Sequence, residues 1–244
     1  RTNTRTAEMI KYASNALLAN LISFSNEIAN LGARIGEIDA SEVMRGVHLS
    51  QYFSQHNADG LPSITSFLKA GCGFGGSCLP KDVNALIAHG RRAGAPVPLL
   101  EAVIRTNEQQ PGKTVDLVRK HLPRLAGARV AVLGLAFKPG TDDVRESPAF
   151  PIMRQLLAEG AVLKAYDPIA NDNAHKAFGD TRVTYCDSLD AALAGIDAVI
   201  VVTPWDEFKQ APELLRERQP PVVFVDGRRA FAKTSMPVYE GIGL

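Results

Sequence analysis

Apolar side chains recur at Ile10, Ala13, Leu17, Leu21, Phe24, Ile28 and Leu31, in steps of three and four residues. That spacing predicts one face of a single long helix over residues 6–31. Thr4 or Thr6 is placed to cap it, with Glu8 in the first turn. About 26 residues at ~1.5 Å each make a rod of roughly 39 Å, long for a small domain and suited to a spine linking domains or subunits. Gly32 reads as the point where this helix ends or a partner approaches. Shorter helices are predicted over residues 40–46, 64–69, 80–93 and 98–121, with a polar, turn-rich loop over 49–60. No period-2 run precedes residue 127, so the first half reads as all-helical.

The pattern changes after Leu125. Continuous apolar runs predict strands over residues 129–134, 162–167, 183–185, 198–202 and 222–226. Helical stretches separate them, at about 148–159, 171–178, 188–195 and 206–218. Such alternation predicts a parallel sheet covered on both faces, a Rossmann-like α/β domain. With the boundary set around Pro123, the chain divides into a helical domain over 1–122 and a sheet domain over 123–244. Open parallel sheets bind ligands beyond the carboxyl ends of their strands. Lys138, Arg145, Asp167, Thr203 and Asp226 all follow strands there.

Composition narrows the class. With 244 residues, 45% hydrophobic and 22% charged, the chain reads as one or two ordinary soluble domains. A net charge of +1 gives no sign of a nucleic-acid or membrane surface. The three cysteines, Cys72, Cys78 and Cys186, suit neither a disulfide scaffold nor a metal site, since no Cys-x-x-Cys or His cluster accompanies them. No signal peptide is read at the start, and no run reaches the ~20 apolar residues of a membrane span. A working thiol is expected in a reducing cytosol, so the expected location is cytoplasmic.

The chemistry concentrates in Gly75-Gly76-Ser77-Cys78-Leu79-Pro80-Lys81-Asp82. A glycine turn delivers a cysteine to the start of a predicted helix, whose first turn accommodates Pro80. There the thiol faces the positive end of the helix dipole, which favours the thiolate. Lys81 adds to that effect and the Asp82 carboxylate opposes it, one turn on and within reach of chemistry at the sulfur. On this local pattern a nucleophile and a small buried cysteine stand at equal odds.

Four segments carry a resemblance. Gly73-Phe74-Gly75-Gly76-Ser77-Cys78-Leu79-Pro80-Lys81-Asp82 resembles the catalytic cysteine segment of the UDP-glucose/GDP-mannose dehydrogenase family. Residues 7–16, Ala-Glu-Met-Ile-Lys-Tyr-Ala-Ser-Asn-Ala, resemble its central-helix signature. Residues 134–147, from Gly134-Leu135-Ala136-Phe137-Lys138-Pro139 to Arg145-Glu146-Ser147, resemble the loop that opens its C-terminal domain, and Asp226-Gly227-Arg228-Arg229 fits near the end. The segments stand in family order along nearly the whole chain.

The resemblance implies an NAD-dependent oxidation of a nucleotide sugar's primary alcohol to a carboxylate, by two hydride transfers. Cys78 would attack the intermediate aldehyde to give a thiohemiacetal, whose oxidation yields a thioester for water to hydrolyse. Lys11 and Asn15, four residues apart on one helix face, would stabilise and hold the substrate oxygen, although the residues alone read as a solvated pair. Asp82 would orient or deprotonate water, or tune the lysine. Phe67, Leu68 and Lys69, with Gly73, Phe74 and Gly75, match the substrate-binding turn; unaided, they read as a helix end and a flexible loop. Lys138 and Arg228 would reach the substrate, and Arg145 the NAD. Each of these three reads alone as a surface charge. Cys72 and Cys186 match nothing catalytic and are expected in the core, while Asp142 and Asp143 read as turn formers. The long helix would pair with its twin in a homodimer.

Gly71, Gly73, Gly75 and Gly76 follow no strand and are not read as the Gly-x-Gly-x-x-Gly dinucleotide fingerprint, so the chain is expected to comprise the central and C-terminal parts of such an enzyme, inactive alone without an N-terminal NAD domain. Two features bear on the substrate. Residues 51–57 lack the arginine found there in many UDP-glucose enzymes, and Leu79 replaces the phenylalanine usual in the UDP-glucose branch, Cys-Leu-Pro-Lys-Asp being common among GDP-mannose enzymes. UDP-glucose or a similar UDP-sugar is the expected substrate, with GDP-mannose the rival. A non-catalytic nucleotide-sugar-binding or dimerisation module is the alternative from another class. A lone Rossmann-like NAD protein fits worst, because Gly134-Leu135-Ala136 lacks the later glycines.

Overall fold

A computed structural model describes residues 3–49 and 67–244. The chain forms two compact units. The first comprises residues 1–109 with Gly243–Leu244, and the second residues 110–242. The division falls inside a helix, one residue before Pro111 takes a backbone donor out of it. The units therefore differ from a split at 122/123 by the end of that helix and by the last two residues.

In the first unit, α1 (Thr4–Ile35) is the long helix. Asn3 caps it, accepting the Thr6 N–H at 2.9 Å, so neither Thr4 nor Thr6 is the cap, and no acidic residue occupies its first turn. The helix runs past Gly32 to Gly36, whose φ of 88° breaks it. Gly32 instead permits a close approach: a Cβ there would lie 3.0 Å from Ile38 Cγ2. Helices α2 (Ala40–His48), α3 (Leu79–Arg92) and the first part of α4 (Pro98–Arg119) complete the unit as described. Residues 50–60 of the expected loop and 64–66 of the expected helix over 64–69 lie outside the described residues, and residues 67–69 are not α-helical.

The side of α1 that faces its own unit is not the expected apolar stripe. Ala16, Ala19, Ser23, Ser25, Asn26, Ala29 and Gly32 are buried. Ile10, Leu17, Phe24 and Leu31 remain 48–56% exposed. Small side chains let α1 and α3 come close, and Ala16, Ala19, Phe74, Val83, Ile87 and Val103 form the core between helices.

The second unit is a six-stranded sheet in the order β3-β2-β1-β4-β5-β6. Its strands are β1 (Arg129–Leu133), β2 (Val162–Tyr166), β3 (Val183–Tyr185), β4 (Ala198–Val201), β5 (Val223–Asp226) and β6 (Val238–Gly241), each parallel to its neighbours. Helices α5 (Ala149–Ala158), α6 (Asn171–Phe178), α7 (Leu189–Leu193) and α8 (Ala211–Leu215) connect them, and a 3-10 turn over Asp206–Gln210 precedes α8. The doubly wound order leaves β1 and β4 central, and their residues Val130–Leu133 and Ala198–Val201 are buried throughout, as strands covered on both faces must be. Leu133, Val201, Phe208, Leu215 and Phe224 anchor one core. The strand β6 was not expected from the sequence. It adds to the edge beyond β5, and its buried Glu240 meets His121 and Lys120 at 2.6 and 2.8 Å.

Candidate active site

The glycine segment before α3 has no regular secondary structure, so its backbone groups must find partners elsewhere. Asn26 of α1 accepts the Gly71 N–H at 2.7 Å. Asn107 of α4 accepts the Phe74 N–H at 2.7 Å and donates to the Phe74 carbonyl at 3.0 Å. Gly73 and Gly76 turn the chain at φ of 107° and 81°, where side chains are disfavoured. The segment then delivers Cys78 to the N-cap position of α3, with Pro80 in the first turn and no side-chain cap. Cys78 is exposed, with Ser77 Oγ 3.9 Å from its sulfur, whereas Cys72 and Cys186 are buried as expected. Burial pushes the Cys186 thiol up.

One turn into α3, the Asp82 side chain is wholly buried. Asn15 Nδ2 donates to its Oδ2 at 2.6 Å, and Lys11 Nζ lies 3.8 Å from the same oxygen. Its Oδ1 has no directed hydrogen bond among the described residues and is met by Lys81 Nζ at 3.3 Å as an ion pair. Burial pushes this carboxyl up. The Asn15 hydrogen bond and the Lys81 and Lys11 ammonium groups outweigh burial and hold it below its ordinary 3.8. The packing of α1 on α3 thus gathers Lys11, Asn15 and Asp82, with Cys78 one turn away. Both lysines are mostly exposed, so the buried carboxylate holds two ammonium groups at a solvent-facing surface.

The residues expected to bind substrate divide between units. In the first, Leu68 is buried, Phe67 half-buried and Lys69 exposed; Gly73, Phe74 and Gly75 are buried. The Phe74 ring belongs to the helical core. In the second, Lys138 is exposed with its ammonium 5.5 Å from the Phe137 ring centre. Arg228 is half-buried, and its Nε donates to the Val202 carbonyl at 2.7 Å. Arg145 is exposed and forks onto Asp143, which it holds below the usual carboxylate range. Asp143 also accepts the Arg145 N–H at 3.0 Å, the turn-forming role expected of it. Asp167, Thr203 and Asp226 stand at strand ends as expected, but their side chains bind the protein's own groups. Asp226, for instance, accepts from the Arg228 and Phe231 N–H groups and the Tyr239 hydroxyl, at 2.8–3.0 Å.

The strand order of the second unit is that of a doubly wound, dinucleotide-type sheet. The turn after β1, which cradles a pyrophosphate in dinucleotide-binding sheets, is closed here by the protein. Gly134, at φ 86°, lies so near Thr203 that a Cβ would meet its carbonyl oxygen at 2.4 Å. The next two N–H groups, of Leu135 and Ala136, are taken by Asp167. These residues do not form an NAD cradle.

An exposed thiol at a helix end thus lies one turn from a buried carboxylate that holds Lys11 and Asn15, and a doubly wound parallel sheet forms a separate unit. The description of the UDP-glucose/GDP-mannose dehydrogenase family's central domain matches residues 5–109, and that of its UDP binding domain residues 131–233. The chain belongs to this family. It is 43% identical to UDP-glucose 6-dehydrogenase TuaD of Bacillus subtilis over 251 aligned positions, covering all of this chain and 51% of that protein. Among solved structures, a UDP-glucose dehydrogenase from Pyrobaculum islandicum superposes with a TM-score of 0.85 at 39% identity, over 99% of this chain and 52% of that one. A GDP-mannose dehydrogenase from Pseudomonas aeruginosa gives 0.62 at 29%, over 100% and 54%. The chain spans about half the length of the curated relatives it matches.

Proposed function

We propose that this chain serves the oxidation of the C6 alcohol of UDP-glucose to the uronate, through covalent intermediates on Cys78. The observation that carries the reading is the exposed Cys78 at the α3 N-terminus, one turn from a buried Asp82 that holds Lys11 and Asn15. The Lys11 ammonium stands ready to stabilise an alkoxide on the substrate. At the aldehyde stage the Cys78 thiolate adds to the carbonyl carbon, and the resulting thiohemiacetal oxygen takes up a proton. Loss of hydride from that carbon, with the hydroxyl proton released to solvent, would leave a thioester; water then attacks its carbonyl carbon, the C–S bond breaks, and the carboxylate, one proton and the Cys78 thiol are released. Kept ionised by its neighbours, Asp82 orients that water through Lys11 and Asn15, or accepts its proton. NAD supplies the chemistry of hydride acceptance when bound.

Lys138 and Arg228, on loops beyond β1 and β5, are the cations offered to the nucleotide's phosphates. The higher similarity to UDP-glucose dehydrogenases than to the GDP-mannose enzyme favours a UDP-sugar. We also read the exposed apolar side of α1 as a homodimer face, since a second α1 offers the same row of large side chains. Titration calorimetry with UDP-glucose and GDP-mannose tests the substrate. Preferential UDP-glucose binding, weakened at least tenfold by Lys138→Ala, is expected; preferred GDP-mannose binding overturns the choice of sugar nucleotide.

A further inference from the structure

Asp167 is the most heavily used carboxylate in the second unit. It follows β2 directly and is almost fully buried. Its Oδ2 accepts the Leu135 N–H at 2.8 Å, the Ala136 N–H at 3.1 Å and the Trp205 indole N–H at 3.0 Å. Its Oδ1 accepts the N–H groups of Ile169 at 3.1 Å and Ala170 at 2.9 Å. One side chain therefore joins the loops that leave β1, β2 and β4.

The location gives this network a meaning. In a dinucleotide-binding sheet, the N–H groups after the first strand point at a pyrophosphate, and an acidic residue at the end of the second strand binds a ribose hydroxyl. Here the acidic residue at the end of the second strand is turned onto the N–H groups of the first turn. A fixed carboxylate stands where a ligand's phosphate charge would otherwise be drawn. Two further contacts seal the turn. Thr203 Oγ1 donates to the Ala136 carbonyl at 2.6 Å, so both backbone polar groups of Ala136 are used internally. Gly134 abuts the Thr203 backbone, leaving no room for a ligand atom at that point.

We propose that Asp167 is a positioning and specificity residue: its carboxylate fills the donor set of the first βα turn, excludes a diphosphate from it, and fixes the start of the loop that carries Lys138. Phosphate recognition is thereby moved from backbone N–H groups to side-chain cations. This specificity role rests on the nucleotide-sugar reading above. The occupied turn does not.

Backbone amide NMR of the whole chain, titrated with inorganic pyrophosphate and separately with UDP, tests it. In the unsubstituted protein the Leu135 and Ala136 amides should exchange slowly with solvent and stay unmoved by pyrophosphate. Asp167→Asn should speed their exchange by about tenfold or more, the equivalent of losing one charge-assisted hydrogen bond, and should weaken UDP binding by a comparable factor. A wild-type shift of those two amides on adding pyrophosphate overturns the proposal, as does unchanged exchange in Asp167→Asn. The pyrophosphate arm needs no variant, so it stands even if the substitution prevents folding. Absence of UDP binding by the wild type, with both amides protected and unmoved, removes the nucleotide reading and with it the specificity role, while the internal cap stands.

Discussion

The carboxamide of Asn107 meets both backbone polar groups of Phe74, accepting at 2.7 Å and donating at 3.0 Å. One side chain on α4 so pairs with an irregular segment as a neighbouring strand would. Asn107→Ala leaves a buried N–H and C=O without partners and is expected to cost about 1–3 kcal/mol. Asn107→Asp keeps the acceptor, loses the donor and sets a carboxylate against a carbonyl, so it should recover little. Urea denaturation of both variants measures this; an unchanged midpoint in Asn107→Ala contradicts it.

The three cysteines should separate by reactivity. Iodoacetamide is expected to modify Cys78 at least about tenfold faster than the buried Cys72 and Cys186. Peptide mass spectrometry over a time course reads this directly, and Cys78→Ser should abolish the fast phase. Equal rates at all three sites would remove the argument for an accessible nucleophile.

Asp82 gives a pH dependence of definite sign. Its folded pKa is lowered, so its contribution to stability is complete above the ordinary 3.8 and fades as pH falls from there through the lower folded value. Asp82→Asn removes that contribution. The stability gap between wild type and variant should be widest near neutrality and narrow below about pH 4. Thermal melts from pH 7 to pH 3 check this, and a gap that grows toward acid would mean that the carboxyl is raised in the fold.

Gly134→Ala should destabilise the second unit by about 3 kcal/mol or more. The added Cβ requires an unfavourable positive φ and lies 2.4–2.6 Å from three Thr203 atoms, two of them backbone. Chemical denaturation followed by the fluorescence of Trp205 measures the loss.

Leu17→Asp with Phe24→Asp places charge in the exposed row on α1. If that row is the homodimer face, sedimentation velocity should show dimer converted to monomer, with the dissociation constant raised at least about tenfold. A wild type that sediments as a monomer at micromolar concentration would withdraw the dimer.

Much of this architecture is legible in the chain because its signals are periodic. The runs around Val130–Leu133 and Ala198–Val201 are apolar at every position, which few arrangements other than a covered parallel strand allow. β6 escapes because Val238-Tyr239-Glu240-Gly241 is short, follows a proline and carries a charge. On α1, the large apolar residues mark a face without saying what covers it; the chain's own contacts on that helix use alanine, serine, asparagine and glycine, which carry little periodic signal. At the site, the local pattern singles out Cys78 with Asp82 one turn on, and resemblance to the family adds Lys11 and Asn15, which alone read as a solvated pair. Asn26 and Asn107 were not identified, because each acts on backbone 45 and 33 residues away and an isolated asparagine looks like any solvated amide. Asp167 was placed at the correct strand end, but no local pattern reveals that it turns inward.

The seam of small side chains on α1 sets two unlike constraints on one helix. Along the seam the limit is volume. A methyl on Gly243 would meet the Cβ atoms of Ala29 and Ala40 at 2.6 Å each, and one on Gly32 would crowd Ile38. Along the opposite row, at Ile10, Leu17, Phe24 and Leu31, size can vary as long as the residue stays apolar where a partner covers it. Substitution along this helix should accordingly be governed by steric bulk on one flank and by polarity on the other, so a single hydrophobicity scale would rank its variants poorly.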